Sequence, residues 1–300
     1  MKNLNYPLTT NNYQLTTVNR HRFKLYILHF IFYILLVPCF AIFNDYEPSS
    51  RARALSGAVT SFSDDYSGIF YNPAGIRFAG NQIGGSHFKL FGNDFSVVTA
   101  VSGIYDTQFG SFGIGYQAMN VEYLDVNLMS ESKFSIGHSF FLNRDVRSEL
   151  SIGYSLNIYT LSFHELGSES QVGINAGVIA TLHHRTRLGF MLTNINKPKI
   201  GDGHKHDIPQ MLALGLSYIP YERVITAVDL KKNHEGSTEL RTGVEVELHP
   251  MLLLRMGVRN NPASYSCGIG LRFLGILFDY SLSSHSVLNL THHIGLGYKF

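Results

Sequence analysis

Ser283, Ser284, His285 and Ser286, followed by His292, place hydroxyls and imidazoles close together, the residue types that a nucleophilic hydrolase uses. A serine nucleophile needs a base within hydrogen-bond reach and a third group to orient that base. No carboxylate stands at a spacing that completes such a set. In GDGHKHDIP, His204, His206 and Asp207 could converge on a cation from one loop, but the glycines and proline explain the same stretch as a polar loop. The adjacent pairs His183 with His184 and His292 with His293 fall on opposite strand faces or in turns. Cys39 and Cys267 are the only cysteines, so neither a disulfide framework nor a cysteine metal site is available. No catalytic residue, metal or cofactor is expected.

A second group of charged residues has a clearer pattern. In TELRTGVEVEL, Leu240, Val244, Val246 and Leu248 point one way, while Glu239, Arg241, Gly243, Glu245 and Glu247 point the other. If HPM turns the chain into the next strand, Glu245 lies opposite Arg255. A turn through HEGS sets Lys231 near Glu239 and Asp229 near Arg241. With Arg259, these residues form a ladder of complementary charge on one face. A lipid-facing Arg or Lys near the bilayer midplane costs roughly 2–4 kcal/mol, so this ladder is expected to line a lumen. The alternative is a soluble sheet with a solvated charged face.

The elements that must carry this ladder are strands. The 300 residues include 28 Gly, 17 Tyr and 21 Phe, no Trp and only 15% charge, a mixture suited to a lipid-facing sheet with interfacial aromatics. The net charge of +2, with no basic run interleaved with aromatics, gives no reason to expect nucleic acid. From about Gly84 onward the chain alternates with period 2. The expected strands begin near Gly85, Asp94, Phe109, Phe134, Glu149, Gln171, Arg187, Gln210, Arg223, Thr238, Leu252, Tyr265, Ile276 and Leu290. The even-numbered connections (YDTQ, NRDVR, HHRT, PYE, HPM, LG) are short, and the two longest, Val121–Ser132 and Lys197–Pro209, are odd-numbered. Outer-membrane barrels alternate short periplasmic turns with longer outer loops. The expected fold is an all-β transmembrane barrel of about 14 antiparallel strands over 84–300, integral to a bacterial outer membrane.

Arg20, His21, Arg22 and Lys24 precede an apolar run from Leu25 to Ala41. That is the layout of a secretory signal, expected over 1–41, with an uncleaved helical anchor as the alternative. Residues 42–83 do not read as strands. A barrel of this size is too wide for wall side chains to fill, so the segment is expected to be a hatch or plug, with a periplasmic tether as the alternative. Arg51, Arg53, Asp64 and Asp65 supply its charges, and Asn72, Pro73, Ala74 and Gly75 favour a turn.

The run ARALSGAVTSFSDDYSGIFYNPAG resembles the N-terminal signature of FadL-like outer-membrane barrels, and most closely that of the PorV/PorQ branch. LTNINKP, Asp229, GVE at Gly243–Glu245, LRMG at Leu254–Gly257 and FDYSLSSH at Phe278–His285 also resemble features of that branch. The alternating terminal segment LTHHIGLGYKF, with Tyr298 and Phe300 on its apolar face, looks like the C-terminal signal of outer-membrane barrels. Barrel-assembly machinery is the partner this implies, beside outer-membrane lipid. Ser56 stands where a second small or apolar residue is commoner in the branch, and the chain is shorter than the long-chain fatty acid transporters.

The resemblance implies a fourteen-strand barrel with a hatch carrying Asn72, Pro73, Ala74 and Gly75, and two functions follow from it. The first is a non-enzymatic secretion accessory or docking platform for secreted proteins or secretion-system components, favoured by short loops and a charged inner wall. The alternative is passive transport of hydrophobic small molecules such as fatty acids across the outer membrane.

Overall fold

The computed structural model describes residues 43, 46–124, 126–201, 205–234 and 236–300. The basic flank and apolar run expected to form a signal lie outside the described residues.

The wall opens with β1 (Gln82–Lys89), β2 (Ser96–Thr107), β3 (Gly110–Tyr123) and β4 (Val126–Arg144). It continues through β5 (Ser148–Phe163), β6 (Gly167–Leu182) and β7 (Thr186–Thr193). A small separate ladder, β8 (Lys199–Ile200) with β9 (His206–Asp207), sits in the following loop. The wall resumes with β10 (Met211–Tyr218), β11 (Val224–Asn233), β12 (Thr238–His249) and β13 (Leu252–Asn260). It ends with β14 (Ala263–Phe273), β15 (Ile276–Ser283) and β16 (Thr291–Lys299). Each wall strand pairs antiparallel with its neighbour, and β1 pairs with β16, closing a barrel of 14 strands. Closure leaves no free strand edge, as a sheet in lipid requires.

Side chains alternate about this wall, apart from local bulges. In β16, Ile294, Leu296 and Tyr298 are outward and exposed, while Thr291 and His293 are inward and buried. Ile114, Ile136, Leu156 and Ile174 form one outward row across β3 to β6, and Tyr116, Phe134, Ile158 and Val172 form the next. All eight are exposed apolar residues. Such a belt is stable against hydrocarbon rather than water.

Above the second row the outer face turns polar. The outward rows become Ala118, Ser132, Thr160 and Ser170, then Asn120, Ser130, Ser162 and Ser168. Inward positions at this height are mixed, with Met119, Val121, Met129, Tyr159 and Leu161 beside Gln117, Glu131, Lys133, Glu169 and Gln171. The structure thus corrects the expected long loop over Val121–Ser132, most of which is wall, with β3 reaching Tyr123 and β4 starting at Val126. A bulge between Val121 and Glu122 breaks the alternation there, which hides the strand from a period-2 reading. The other expected long loop holds the β8–β9 ladder.

The described part of the N-terminal segment lies inside the barrel. Helix α1 (Ser50–Ala54) packs against β13 to β16. Helix α2 (Gly68–Tyr71) leads into a 3-10 turn at Pro73–Phe78 that packs against β3 to β6. Leu55, Ala58, Val59 and Phe62 share one apolar cluster with Tyr71 and the wall residue Ala227.

Candidate functional site: the hatch and the cavity above it

The short run Asn72-Pro73-Ala74-Gly75 ties the N-terminal segment to the wall. Pro73 opens the 3-10 turn, where its missing N–H and fixed φ are an advantage. Asn72, fully buried, accepts from Ala74 N at 3.1 Å and so caps that turn. Its amide nitrogen donates to Thr60 O at 2.8 Å and to the wall carbonyl of Phe190 at 3.3 Å. Ala74 O accepts from two wall hydroxyls, Ser139 at 3.1 Å and Ser151 at 2.9 Å. Wall glycines make room for these contacts. A Cβ on Gly153 would lie 2.4 Å from the Ala74 nitrogen, and one on Gly257 would lie 2.4 Å from the Leu55 carbonyl carbon.

The charged residues of hatch and wall form two groups. In the first, Arg51 binds Glu245 through Nε at 2.9 Å and Nη2 at 3.1 Å, and its Nη1 reaches Asp64 at 2.8 Å and Asp65 at 3.1 Å. Arg255 holds the same Glu245 at 2.6 Å and also bonds Asp279, while Arg187 holds the far oxygen of Asp64 at 2.7 Å. In the second, Glu47 receives Arg241 at 2.6 Å, Arg53 at 3.4 Å and Arg259 at 3.5 Å.

The register places Asp229 opposite Arg241, Lys231 opposite Glu239 and Glu245 opposite Arg255. The bonds across those pairs differ from a simple ladder. Glu245 and Arg255 meet directly, but Arg241 turns to Glu239 on its own strand and to Glu47 of the hatch. Asp229 accepts from the hatch backbone at Thr60 N, 2.8 Å away. The wall charges are therefore largely spent on holding the hatch. Removing one partner of such a buried pair is costly, although the intact pair adds little net stability.

Above the hatch, toward the rim of longer loops, a cavity is bounded by Phe70, Tyr71, Met119, Tyr159, Met191 and Met211, with Gln117, Glu131, Lys133 and Lys231 among its polar members. It leaves about 70 Å³ for the centres of water-sized molecules, several times the roughly 10–15 Å³ that one water needs. Its roof includes Phe43, edge-on to Tyr159 at 5.0 Å, and Tyr46, whose hydroxyl donates to Glu131 at 3.1 Å. Burial, with Glu131 beside it, pushes the Tyr46 phenol well above its ordinary pKa, which keeps it a donor. Below the hatch, Arg51, Asp64, Arg255, Asp279, Arg272 and Lys299 border a charged vestibule of about 420 Å³ toward the rim of short turns.

The serine and histidine residues do not assemble. His292 lies on the exposed outer face bonded to the Tyr280 hydroxyl at 2.7 Å, and His285 accepts from Val287 N and Leu288 N. Asp207 pairs with Lys199 at 3.0 Å, and His204 lies outside the described residues. Tyr298 and Phe300 stack with centroids 6.1 Å apart, and Phe300 N donates to Asn81 O. The expected site residues did not include Glu131, Tyr159 or the cavity methionines. Their signal was their shared inward parity on β3, β4, β5, β7 and β10.

The sequence matches no family model and no curated protein. Among solved structures, the chain is similar to the CymD monoaromatic hydrocarbon channel, at 16% identity, over 84% of this chain and 97% of that one, with a TM-score of 0.67. The Pseudomonas putida toluene transporter TodX aligns at 15% identity over 83% and 97% of the two chains, TM-score 0.59. A FadL homologue from Pseudomonas aeruginosa aligns at 11% identity over 84% and 98%, TM-score 0.59.

The fold is FadL-like. Closure, the apolar belt and these neighbours make the chain an outer-membrane β-barrel. The FadL-like neighbours are hydrocarbon channels and a FadL homologue, so they do not carry the finer resemblance to the PorV/PorQ branch.

Proposed function

We propose that the protein is a FadL-like channel for passive transport of hydrophobic small molecules across the outer membrane, without enzymatic activity. The observation that carries this reading is the cavity in the bore above the hatch. There Met119, Tyr159, Met191 and Met211 bring apolar surface to a cavity directly above the hatch, among placed polar groups such as Gln117, Glu131 and Lys133. Binding sites for small apolar ligands have this concave, mostly apolar character with a few placed polar groups. CymD is a monoaromatic hydrocarbon channel and TodX a toluene transporter, which supports the same reading.

The docking-platform reading rested on a charged inner wall that would be a poor slide for apolar molecules. That premise weakens, because Asp229, Arg241, Glu245 and Arg259 of that ladder are bonded to the hatch. The test is uptake of labelled toluene and of a labelled fatty acid by cells expressing the protein in an outer membrane that lacks other such channels. Uptake several-fold above the vector control is expected. Equal uptake for every apolar probe would end the transport reading.

A further inference from the structure

We infer that the cavity above the hatch selects small amphipathic molecules, an apolar body carrying one hydroxyl or amino hydrogen-bond donor, and that Glu131 receives that donor. The inference rests on the transport reading and names its substrate class.

Glu131 is only 3% exposed and lines the cavity. Its Oε2 is occupied, accepting from Phe43 N at 3.0 Å and from the Tyr46 hydroxyl at 3.1 Å. Among the described residues its Oε1, buried, has no hydrogen-bond partner. Gln117, 8% exposed and one pair-step away on β3, also turns a partnerless Oε1 toward the same space. A buried carboxylate oxygen without a donor carries its full desolvation cost. At the edge of a cavity, the occupant is the available source of that donor.

The rest of the lining defines the body of the ligand. Met119, Met191 and Met211 present flexible thioethers that fit irregular apolar shapes, beside the ring of Tyr159. A pure hydrocarbon would fill this space and leave Glu131 unpaired. Sites built around a buried polar group discriminate strongly against ligands that cannot satisfy it. A carboxylate ligand has only acceptor oxygens and brings Glu131 no donor. Lys133 and Lys231 border the same cavity, and Lys133 lies over the Phe70 ring at 5.3 Å.

The experiment is equilibrium dialysis of the full-length protein in detergent against labelled toluene, p-cresol, benzylamine and benzoate. The expected result is that p-cresol or benzylamine binds at least about tenfold more tightly than toluene or benzoate, the scale of one hydrogen bond to a charged group. Glu131→Leu is expected to abolish that preference while toluene binding stays within about threefold. Should Glu131→Leu not fold, Glu131→Gln, which replaces one oxygen with a donor, is expected to weaken p-cresol and benzylamine and to strengthen benzoate. Toluene or benzoate binding as tightly as the donor-bearing probes overturns the inference, as does a preference unchanged in either variant. If toluene is bound and taken up without preference, the transport reading stands and this inference alone falls. If no probe is bound and uptake equals the control, both fall.

Discussion

Asn72 of the hatch and Gly177 of the wall share one space: a Cβ on the glycine would lie 1.9 Å from the asparagine Oδ1. The asparagine cannot simply swing aside, because its amide is bonded to Thr60 O, Phe190 O and Ala74 N. Gly177→Ala is therefore expected to act like a substitution of Asn72 itself, although it lies on another element. Each is expected to cost about 2–4 kcal/mol of local hatch stability, from lost bonds and newly unpaired buried groups. Proteolysis of the hatch in the folded barrel and single-channel conductance in planar bilayers measure this. Unchanged protease resistance and conductance in both variants would refute the assigned anchor.

Arg51 is bonded to three carboxylates, one from the wall and two from the hatch. Arg51→Ala takes from the buried Glu245 and Asp64 one of the two arginines that each holds, and is expected to destabilise by about 3 kcal/mol. Glu245→Ala relieves part of that strain. In a double-mutant cycle by urea titration, the pair is expected to be clearly non-additive. Additive losses would mean the two charges do not hold one another.

Asp64 gives the hatch an acid limit. Burial, the largest influence, raises its pKa, but Arg51 and Arg187 outweigh burial and hold the carboxyl below its ordinary value. A depressed folded-state pKa contributes stability above the unfolded value that is lost as pH falls through the folded one. Protease resistance of the hatch is expected to hold from neutral pH down to the usual carboxylate range and to decline beneath it. Asp64→Asn is expected to be weaker at neutral pH and flatter in acid. An equally steep acid profile in that variant would assign the effect to other groups.

The apolar belt predicts a height-dependent cost of charge. Leu156 lies in the isoleucine-rich row of the belt, and Thr160 lies two outward positions higher, above its edge. Leu156→Arg is expected to destabilise by roughly 2–4 kcal/mol and Thr160→Arg by about 0–1. Urea unfolding in lipid vesicles separates the two, and equal costs would misplace the belt.

Much of the wall was legible because its signals are local. Period-2 alternation and short turns bring the expected strand starts close to those observed for β1, β2, β3, β5, β7 and β10 to β16, and the turn at HPM is enough to pair Glu245 with Arg255. The partners of the hatch were not legible. Arg51 meets Glu245 across 194 positions of sequence, and nothing near either residue states that preference. The inner glycines were visible as composition, but their purpose depends on which hatch atoms face them. Glu131 was lost because the segment around it resembles a polar loop unless β4 is already known to extend past Ser132.

Along β3 and β5 the hydrophobic alternation changes phase by one residue just above Tyr116 and Ile158. That slip is a waterline written into the chain. Below it these strands are solvated by lipid on their outer side, and above it by water. An oily molecule arriving from the aqueous side therefore meets only scattered apolar residues at the upper rim, such as Leu128, Phe163 and Leu166. Its first apolar refuge there is the barrel's own throat.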